Sequence, residues 1–478
     1  MRKSSAEYKK HLFSMKNNLW MNGQKISRDD PRLEPGINLM SQTYDLLSHP
    51  KIGPLLRAKS HLTGKEINRF CHIHQTSEDL MTRHDLTKEF QLHTGTCIQR
   101  CGGCDTLNAF DIVSYNVDKL KGTDYHKRFL KYLQYFQEND FVAPITITDP
   151  KGDRTLRPHQ QHDPDQYLHV VERKSDGIVV RGAKFHNSMA PYGEELLVAP
   201  TRALRPEDKD WCVCFAVPAD WEGVKMVCTY VQHRPRKKMP AFYTQFGSAE
   251  SSTIFDNVFV PWERVFMCGE TEFGHEPGRL SSLYHRYNYS ACKPAAIQIL
   301  LGAAALAADY NGIERTQHVQ AKLADMIATG QLIYATGSMA AINAKKAPSG
   351  TMVPDETLVH AARYLAGSKI YHEYETLSDI AGGLASTLPY EEDFFNPEVG
   401  PLLHKYIARK KGVPPEHIHK LWRYINELVA GANTGRAQGG GLHGGGSPIM
   451  EQIAMRFTYD LEKDKENVKR LCGITESK

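Results

Sequence analysis

Excess charge of either sign is missing from this 478-residue chain: 59 lysines and arginines face 55 acidic residues, a net charge of +4. So small an excess, with the basic residues dispersed and no basic patch interleaved with aromatics, argues against nucleic acid or an anionic membrane as partner. Cysteine is sparse at ten residues, which excludes a disulfide-dense secreted scaffold. Hydrophobic residues form 41% of the chain, too many for a disordered one. Long apolar runs are missing too. The longest, about Pro294 to Ala308, is broken by Gln298 and falls short of the ~20 residues a spanning helix needs. It reads as a buried core helix. The opening MRKSSAEYKKHLFSMKNN has charge but no apolar h-region, so no signal peptide is expected. The expected compartment is the cytoplasm, where thiols stay reduced. No Gly-x-Gly-x-x-Gly follows a strand-like run and no P-loop sequence occurs, so neither a dinucleotide-binding Rossmann site nor a phosphate-cradling loop is supported. Repeats and low-complexity tracts are absent. What is present in unusual number is histidine, with 22 residues, which directs attention to ligands and proton carriers.

The length suggests roughly three units, and the pattern divides the same way. Residues 1–140 read as a helical domain: Ser77-Glu78-Asp79-Leu80 looks like a helix start, and Lys127–Glu138 has helical apolar spacing. Residues 141–275 read as a β domain, with runs such as GIVVRGAKF and STIFDNVFV between turn residues. Lys174-Ser175-Asp176-Gly177 is a hairpin signal. Residues 276–478 return to alanine-rich helical patterns, including Ala295–Asn311 and His318–Ala344. The fold class is therefore α+β, helical, then β, then helical.

One constellation carries chemistry. In Cys97-Ile-Gln-Arg-Cys101-Gly-Gly-Cys104 the first two thiols are four apart, which on a helix puts them on one face. Cys104 lies beyond two glycines expected to end that helix. Far downstream, His285 and Cys292 are seven apart, again one helical face, with Tyr289 between them. Three thiols and an imidazole on two facing helices suit zinc or an iron–sulfur cluster. The plainer reading is a set of buried thiols and a structural histidine. The spacing also matches the cluster loop of radical S-adenosylmethionine enzymes, but no βα repeat follows it. Cys71, Cys212, Cys214, Cys228, Cys268 and Cys472 read as core thiols.

Polar groups gather at three further places. Thr148, Asp149, Lys151 and Arg154 lie on a turn that opens the β segment, suited to a flavin ring, a phosphate or simply to solvent. Lys184, Asn187 and Ser188 sit at the end of a strand. Asp379 precedes a glycine pair, Gly382 and Gly383, where a ligand or backbone can approach closely. Gly439–Gly441 and Gly444–Gly446 are expected to form a flexible or ligand-approaching loop.

The segments GTCIQRC, ENDFVAPITITDPKGDR, DGIVVRGAK, FDNVFVP, YHRYNYSACK, GAAALAADYNG, DIAGGL and LHGGGSP, in order along the chain, closely resemble the 4-hydroxybutyryl-CoA dehydratases. These belong to the wider 4-hydroxyphenylacetate 3-hydroxylase flavoprotein family. The resemblance implies an acyl-CoA-dehydrogenase-like fold, FAD, an acyl-CoA substrate and a homotetramer. It implies a [4Fe–4S] cluster held by Cys97, Cys101, His285 and Cys292, with Cys104 only a neighbour. It implies catalytic roles for His285, Tyr289 and Glu250, and site positions for Lys293, Gln99 and Ser188. The flavin is expected at Thr148, Asp149, Lys151, Arg154, Lys184, Asn187, Ser188, Asp379, Gly382 and Gly383. The implied activity is dehydration of a 4-hydroxyacyl-CoA to crotonyl-CoA, with isomerisation of vinylacetyl-CoA. The aromatic hydroxylases of the wider family, which use reduced flavin and oxygen, are the alternative. The chain departs from the dehydratase pattern at Gly440, where those enzymes have a glutamate three residues before the position of His443.

Overall fold

The computed structural model of the chain describes residues 2, 4–232, 236–239, 241 and 245–474. It is a mixed helix-and-sheet architecture. Two short strands, β1 (Leu19–Met21) and β2 (Gln24–Ile26), precede the helices α1 (Ser77–Thr94), α2 (Cys101–Lys121) and α3 (Tyr125–Asn139). Strands dominate the middle: β3 (Ile145–Thr146), β4 (His169–Arg173), β5 (Gly177–Ser188), β6 (Glu195–Val198), β7 (Val213–Pro218), β8 (Val224–Gln232), β9 (Gly247–Pro261) and β10 (Val265–Cys268). The remainder is mainly helical: α4 (Glu276–Asn311), α5 (Gln317–Ile342), α6 (Glu356–Ser368), α7 (Ile370–Ala381), α8 (Pro415–Val429) and α9 (Ala432–His443).

Local chemistry sets the helix ends. Thr76 caps α1 by accepting from the Asp79 amide at 3.1 Å, and Asp79 accepts from the Thr76 amide at 3.1 Å, a reciprocal capping box. Gly95, at φ 77°, closes that helix. At the start of α2 the structure corrects the sequence reading. Gly102 and Gly103 do not end a helix; they lie in the first turn of one. A Cβ on Gly103 would stand 2.6 Å from the Ala143 carbonyl oxygen, and one on Gly102 would stand 2.7 Å from Ile145 Cγ1. The glycines thus let the helix press against the chain entering the sheets. Cys97 lies before this helix rather than on it, and Gln99 between them takes a left-handed φ of 56°.

The larger sheet has the order β2-β1-β8-β9-β5-β4, with β1 parallel to β8 and the other pairs antiparallel. The N-terminal segment therefore adds two strands to the central sheet. The smaller sheet runs β10-β7-β6-β3. The hairpin between β4 and β5 turns at Lys174–Gly177, closed by the Lys174 amide on the Gly177 carbonyl at 2.8 Å. In the β5–β9 ladder Ser188 faces Glu250, Asn187 faces Ser251 and Lys184 faces Thr253.

Helix α4, at 36 residues, is the spine of the molecule. It packs against α1, α2, α5, α6 and α7. Its apolar window is long enough to cross a membrane by length and composition, contrary to the sequence expectation, but 56% of that window is buried inside the fold. The helix joins two cores. Leu280, Leu283, Tyr284 and Tyr287 belong to one built with α1–α3 and the sheets. Ile297, Leu300, Ala304 and Ala308 belong to another built with the C-terminal helices around Trp422. The segment His285–Lys293 lies at the seam between them.

Two further expectations change. Gly439–Gly441 are helical, inside α9, and only Gly444–Gly446 form a turn, with φ of 77° at Gly445 and 128° at Gly446. Cys472 is exposed, not a core thiol, whereas Cys71, Cys212, Cys214 and Cys228 are buried.

Candidate active site

Cys101 on α2, His285 and Cys292 on α4 and Cys97 on the loop just before α2 supply the sulfur and nitrogen donors. The Cys97 and Cys292 thiols are hydrogen-bond partners, and Cys101 Sγ lies 4.0 Å from His285 Nδ1. The Cys292 partnership, aided by the Gln99 amide and by nearby His285 and Arg436, pulls the Cys97 thiol down to about 6. Burial pushes Cys101 up, and the shared hydrogen bond with burial does the same to Cys292. The donor set fits a metal: three soft sulfurs, one already acidic, and an imidazole are what an iron–sulfur cluster or zinc requires. Cys104 is turned away, with its sulfur 3.3 Å from the His72 carbonyl, and burial raises it to about 11.

Behind the imidazole lies a buried polar layer. Asp105, one turn after Cys101 on α2, faces His285 Nδ1 through Oδ2 at 3.2 Å. Its other oxygen accepts from Asn288 Nδ2 at 2.6 Å. Asn288 Oδ1 accepts from Arg83 Nε at 3.1 Å and from Thr87 Oγ1 at 3.4 Å. Asp105, Asn288 and Arg83 are all at most 3% exposed, so this layer is part of the interior.

The other expected site residues form a rim. The Tyr289 ring lies under the Arg363 guanidinium at 4.5 Å, and burial raises its hydroxyl well above the ordinary tyrosine range. Arg363 in turn donates to the carbonyls of Leu442, Gly444 and Gly446 at 3.2, 2.8 and 2.9 Å, tying the glycine turn to that ring. Lys293 is paired with Glu373 of α7. Burial lowers the Lys293 ammonium and raises the Glu373 carboxyl. Glu250 Oε2 accepts from Ser188 Oγ at 2.5 Å, and its Oε1 accepts from Arg436 Nε at 3.0 Å. With its amide oxygen turned toward Arg436, Gln99 accepts from Nη2 at 2.6 Å. Arg436, on α9, thus joins the cysteine loop to the sheet.

The polar groups on the β segment are more scattered. The Thr148 carbonyl accepts from the Phe185 amide at 2.8 Å. Lys184 Nζ donates to Asp149 at 2.5 Å and to the Ile147 and Ala199 carbonyls at 3.1 and 2.8 Å, so all three donors are used inside the fold. Asp149 also accepts from Thr201 at 3.0 Å. The pair braces the turn carrying Lys151, whose carbonyl accepts from Tyr167 at 2.7 Å; Arg154 is exposed. Asn187 Nδ2 donates to Thr253 at 2.9 Å while its buried Oδ1 has no partner among the described residues. Asp379 is exposed and paired with Lys322, six residues beyond Glu373 and so about 9 Å along α7. Gly382 and Gly383 stand beside open space.

Sequence reasoning missed Asp105, Arg436, Glu373 and Arg363. Asp105 had a local signal, a carboxylate one helical turn after a candidate thiol. Arg436 had none: it reaches the site from α9, just ahead of the glycines read as a loop.

The two halves of the chain match the models of the 4-hydroxyphenylacetate 3-hydroxylase N-terminal region, over residues 4–267, and C-terminal region, over residues 279–473. The chain belongs to that family. Within it, the chain is 34% identical to the 4-hydroxybutyryl-CoA dehydratase/vinylacetyl-CoA-Δ-isomerase of Clostridium aminobutyricum, covering 98% of this chain and 99% of the relative. A solved structure of an oxygen-tolerant archaeal 4-hydroxybutyryl-CoA dehydratase from N. maritimus superposes with a TM-score of 0.94, at 34% identity, over 100% of this chain and 96% of the other. The oxygenase component of 4-hydroxyphenylacetate 3-monooxygenase, complexed with FAD and 4-hydroxyphenylacetate, superposes with a TM-score of 0.88, at 25% identity, over 98% of each chain.

Proposed function

We propose that this chain is an FAD- and [4Fe–4S]-dependent hydro-lyase. Its substrate is 4-hydroxybutyryl-CoA or a close 4-hydroxyacyl-CoA, its product crotonyl-CoA, and it also isomerises vinylacetyl-CoA. The observation that carries this reading is the pairing of Cys97 with Cys292 and of Cys101 with His285 where the start of α2 and its preceding loop meet α4. The names of the 34%-identical relatives support it.

On this reading those four side chains hold the cluster. The turn braced by Lys184 and Asp149, together with Asn187, Ser188 and the Gly382–Gly383 turn, takes part in holding the flavin. When bound, the two groups supply Lewis acidity toward a leaving hydroxyl and one-electron redox capacity. The chain's own residues do the rest. His285, when released from the cluster, is the base that removes the C2 proton beside the thioester. Tyr289 keeps its proton at neutral pH and is a hydrogen-bond donor. Lys293 and Glu373 form a buried proton-sharing pair. Glu250, fixed by Arg436 and Ser188, is the remaining carboxylate where Gly440 supplies none. The three-part division at residues 140 and 275, an acyl-CoA-dehydrogenase-like arrangement, a cytoplasmic setting and a homotetramer complete the reading.

The test is anaerobic reconstitution with iron, sulfide and FAD, followed by 4-hydroxybutyryl-CoA. Crotonyl-CoA and about four irons per chain are expected for a cluster of this type. A protein that takes up flavin but no iron overturns the cluster; a loaded protein that forms no crotonyl-CoA overturns the substrate. The 0.88 superposition on the aromatic monooxygenase component favours a second reading, oxygen-dependent hydroxylation of a phenol with reduced flavin. It predicts turnover with no iron at all.

A further inference from the structure

Asp105 faces the imidazole of His285, and the layer behind it has a fixed direction. A guanidinium can only donate hydrogen bonds. Arg83 Nε therefore forces Asn288 to present its oxygen, at 3.1 Å, and Thr87 donates to the same oxygen. The Asn288 amide nitrogen must then lie on the other side, where it donates to Asp105 Oδ1 at 2.6 Å and to the Tyr284 carbonyl at 3.0 Å. That leaves Asp105 Oδ2 free to accept, and the atom opposite it is His285 Nδ1, at 3.2 Å, the nearer of that nitrogen's two neighbours, with Cys101 Sγ at 4.0 Å.

We propose that Asp105 is the positioning residue of His285: it accepts the Nδ1 proton, sets the imidazole tautomer and leaves Nε2 as the ring's only lone pair. The Arg83–Asn288–Asp105 chain makes this choice one-directional, because no member can reverse without burying two donors face to face. An imidazole that binds metal or takes a proton through one nitrogen needs the other held in this way. The inference rests on the proposed function only for what Nε2 meets; the tautomer itself is a property of the protein alone.

The isosteric change Asp105→Asn gives a sharp expectation. Its amide oxygen keeps the bond from Asn288, so its NH2 group turns to His285 Nδ1. Two donors cannot face each other, so the proton moves to Nε2. The same substitution logic yields the wrong tautomer in the serine protease triad. The measurement is nitrogen NMR of metal-free protein labelled at histidine nitrogens, with His285 assigned by difference against His285→Gln. In the unsubstituted protein Nδ1 is expected to be protonated and Nε2 bare; in Asp105→Asn the two exchange. Iron affinity on reconstitution should fall about 10- to 100-fold, with Asp105→Glu recovering part of it. A bare Nδ1 in the unsubstituted protein, or an unchanged tautomer in Asp105→Asn, overturns the proposal. A tautomer exchange in a protein that never takes up iron supports it while removing the cluster reading.

Discussion

Arg436 grips Glu250 through Oε1, with Nε at 3.0 Å, and so fastens a C-terminal helix to the central sheet across 186 residues of sequence. The same guanidinium meets Gln99, which puts one cation between the cysteine loop and the Glu250 carboxylate. Arg436→Ala is expected to lower kcat/KM for crotonyl-CoA formation about 10- to 100-fold, the size of a lost charged hydrogen bond of ~1.5–3 kcal/mol. Arg436→Lys should restore only part, since a lysine has no fork to span both partners. Steady-state kinetics that match the unsubstituted enzyme would show that Glu250 needs no such anchor.

Cysteine substitutions should divide cleanly. Cys97→Ser is expected to remove most of the iron after anaerobic reconstitution. Cys104→Ser is expected to keep it, because that sulfur is bonded to the His72 carbonyl and remains a thiol at neutral pH. Iron analysis and the visible spectrum check both. Equal loss from the two variants would place Cys104 among the ligands.

His419 offers a pH test remote from the cysteines. It is buried on α8, its ring 4.4 Å from that of Phe394, with Arg423, Arg236 and Glu391 as the charged groups around it. Burial, then Arg423, lowers it from 6.5 to about 4. The folded protein thus favours the neutral ring. Its contribution is complete above pH 6.5, is lost as pH falls toward 4, and levels off below that, about 3 kcal/mol in all. Denaturant midpoints between pH 7 and 4 should fall less steeply for His419→Gln. Parallel curves for the two proteins would remove His419 from the acid response.

Gly103→Ala tests the seat of α2. The new methyl meets the Ala143 carbonyl at 2.6 Å, and a backbone atom yields poorly. A loss of about 1–3 kcal/mol is expected, as for other overpacked sites. Because Cys101 and Asp105 ride on the same turns, iron affinity should fall with it. Denaturation and iron titration together read both effects; a variant as stable as the parent contradicts the close approach.

The α4 part of the site was legible because a helical period survives intact from His285 to Cys292: one face, two turns, with Tyr289 between. The α2 part was legible only as residues, not as geometry. Four-residue spacing put Cys97 on a helix, yet the helix begins at Cys101 and Gln99 turns left-handed before it. Local propensity made Gly102 and Gly103 a helix end, but their role is set by Ala143 and Ile145, about forty residues away. The same kind of distant packing makes the glycine-rich 439–441 segment helical, where Gly441 passes beside Ile370 and the Tyr289 hydroxyl. Long-range partners such as Arg436 leave no periodic trace. The order of helices and strands, in contrast, follows from patterning that each segment carries by itself.

Cys101 and His285 are 184 positions apart in the chain. At ~5–20 residues per second of synthesis, the second donor follows the first from the ribosome by roughly 10–40 s. Through that interval the early thiols have neither Cys292 nor the imidazole beside them and are open to oxidation. Expression yield in air is therefore expected to respond to thiol reductants more than the storage stability of the finished fold does.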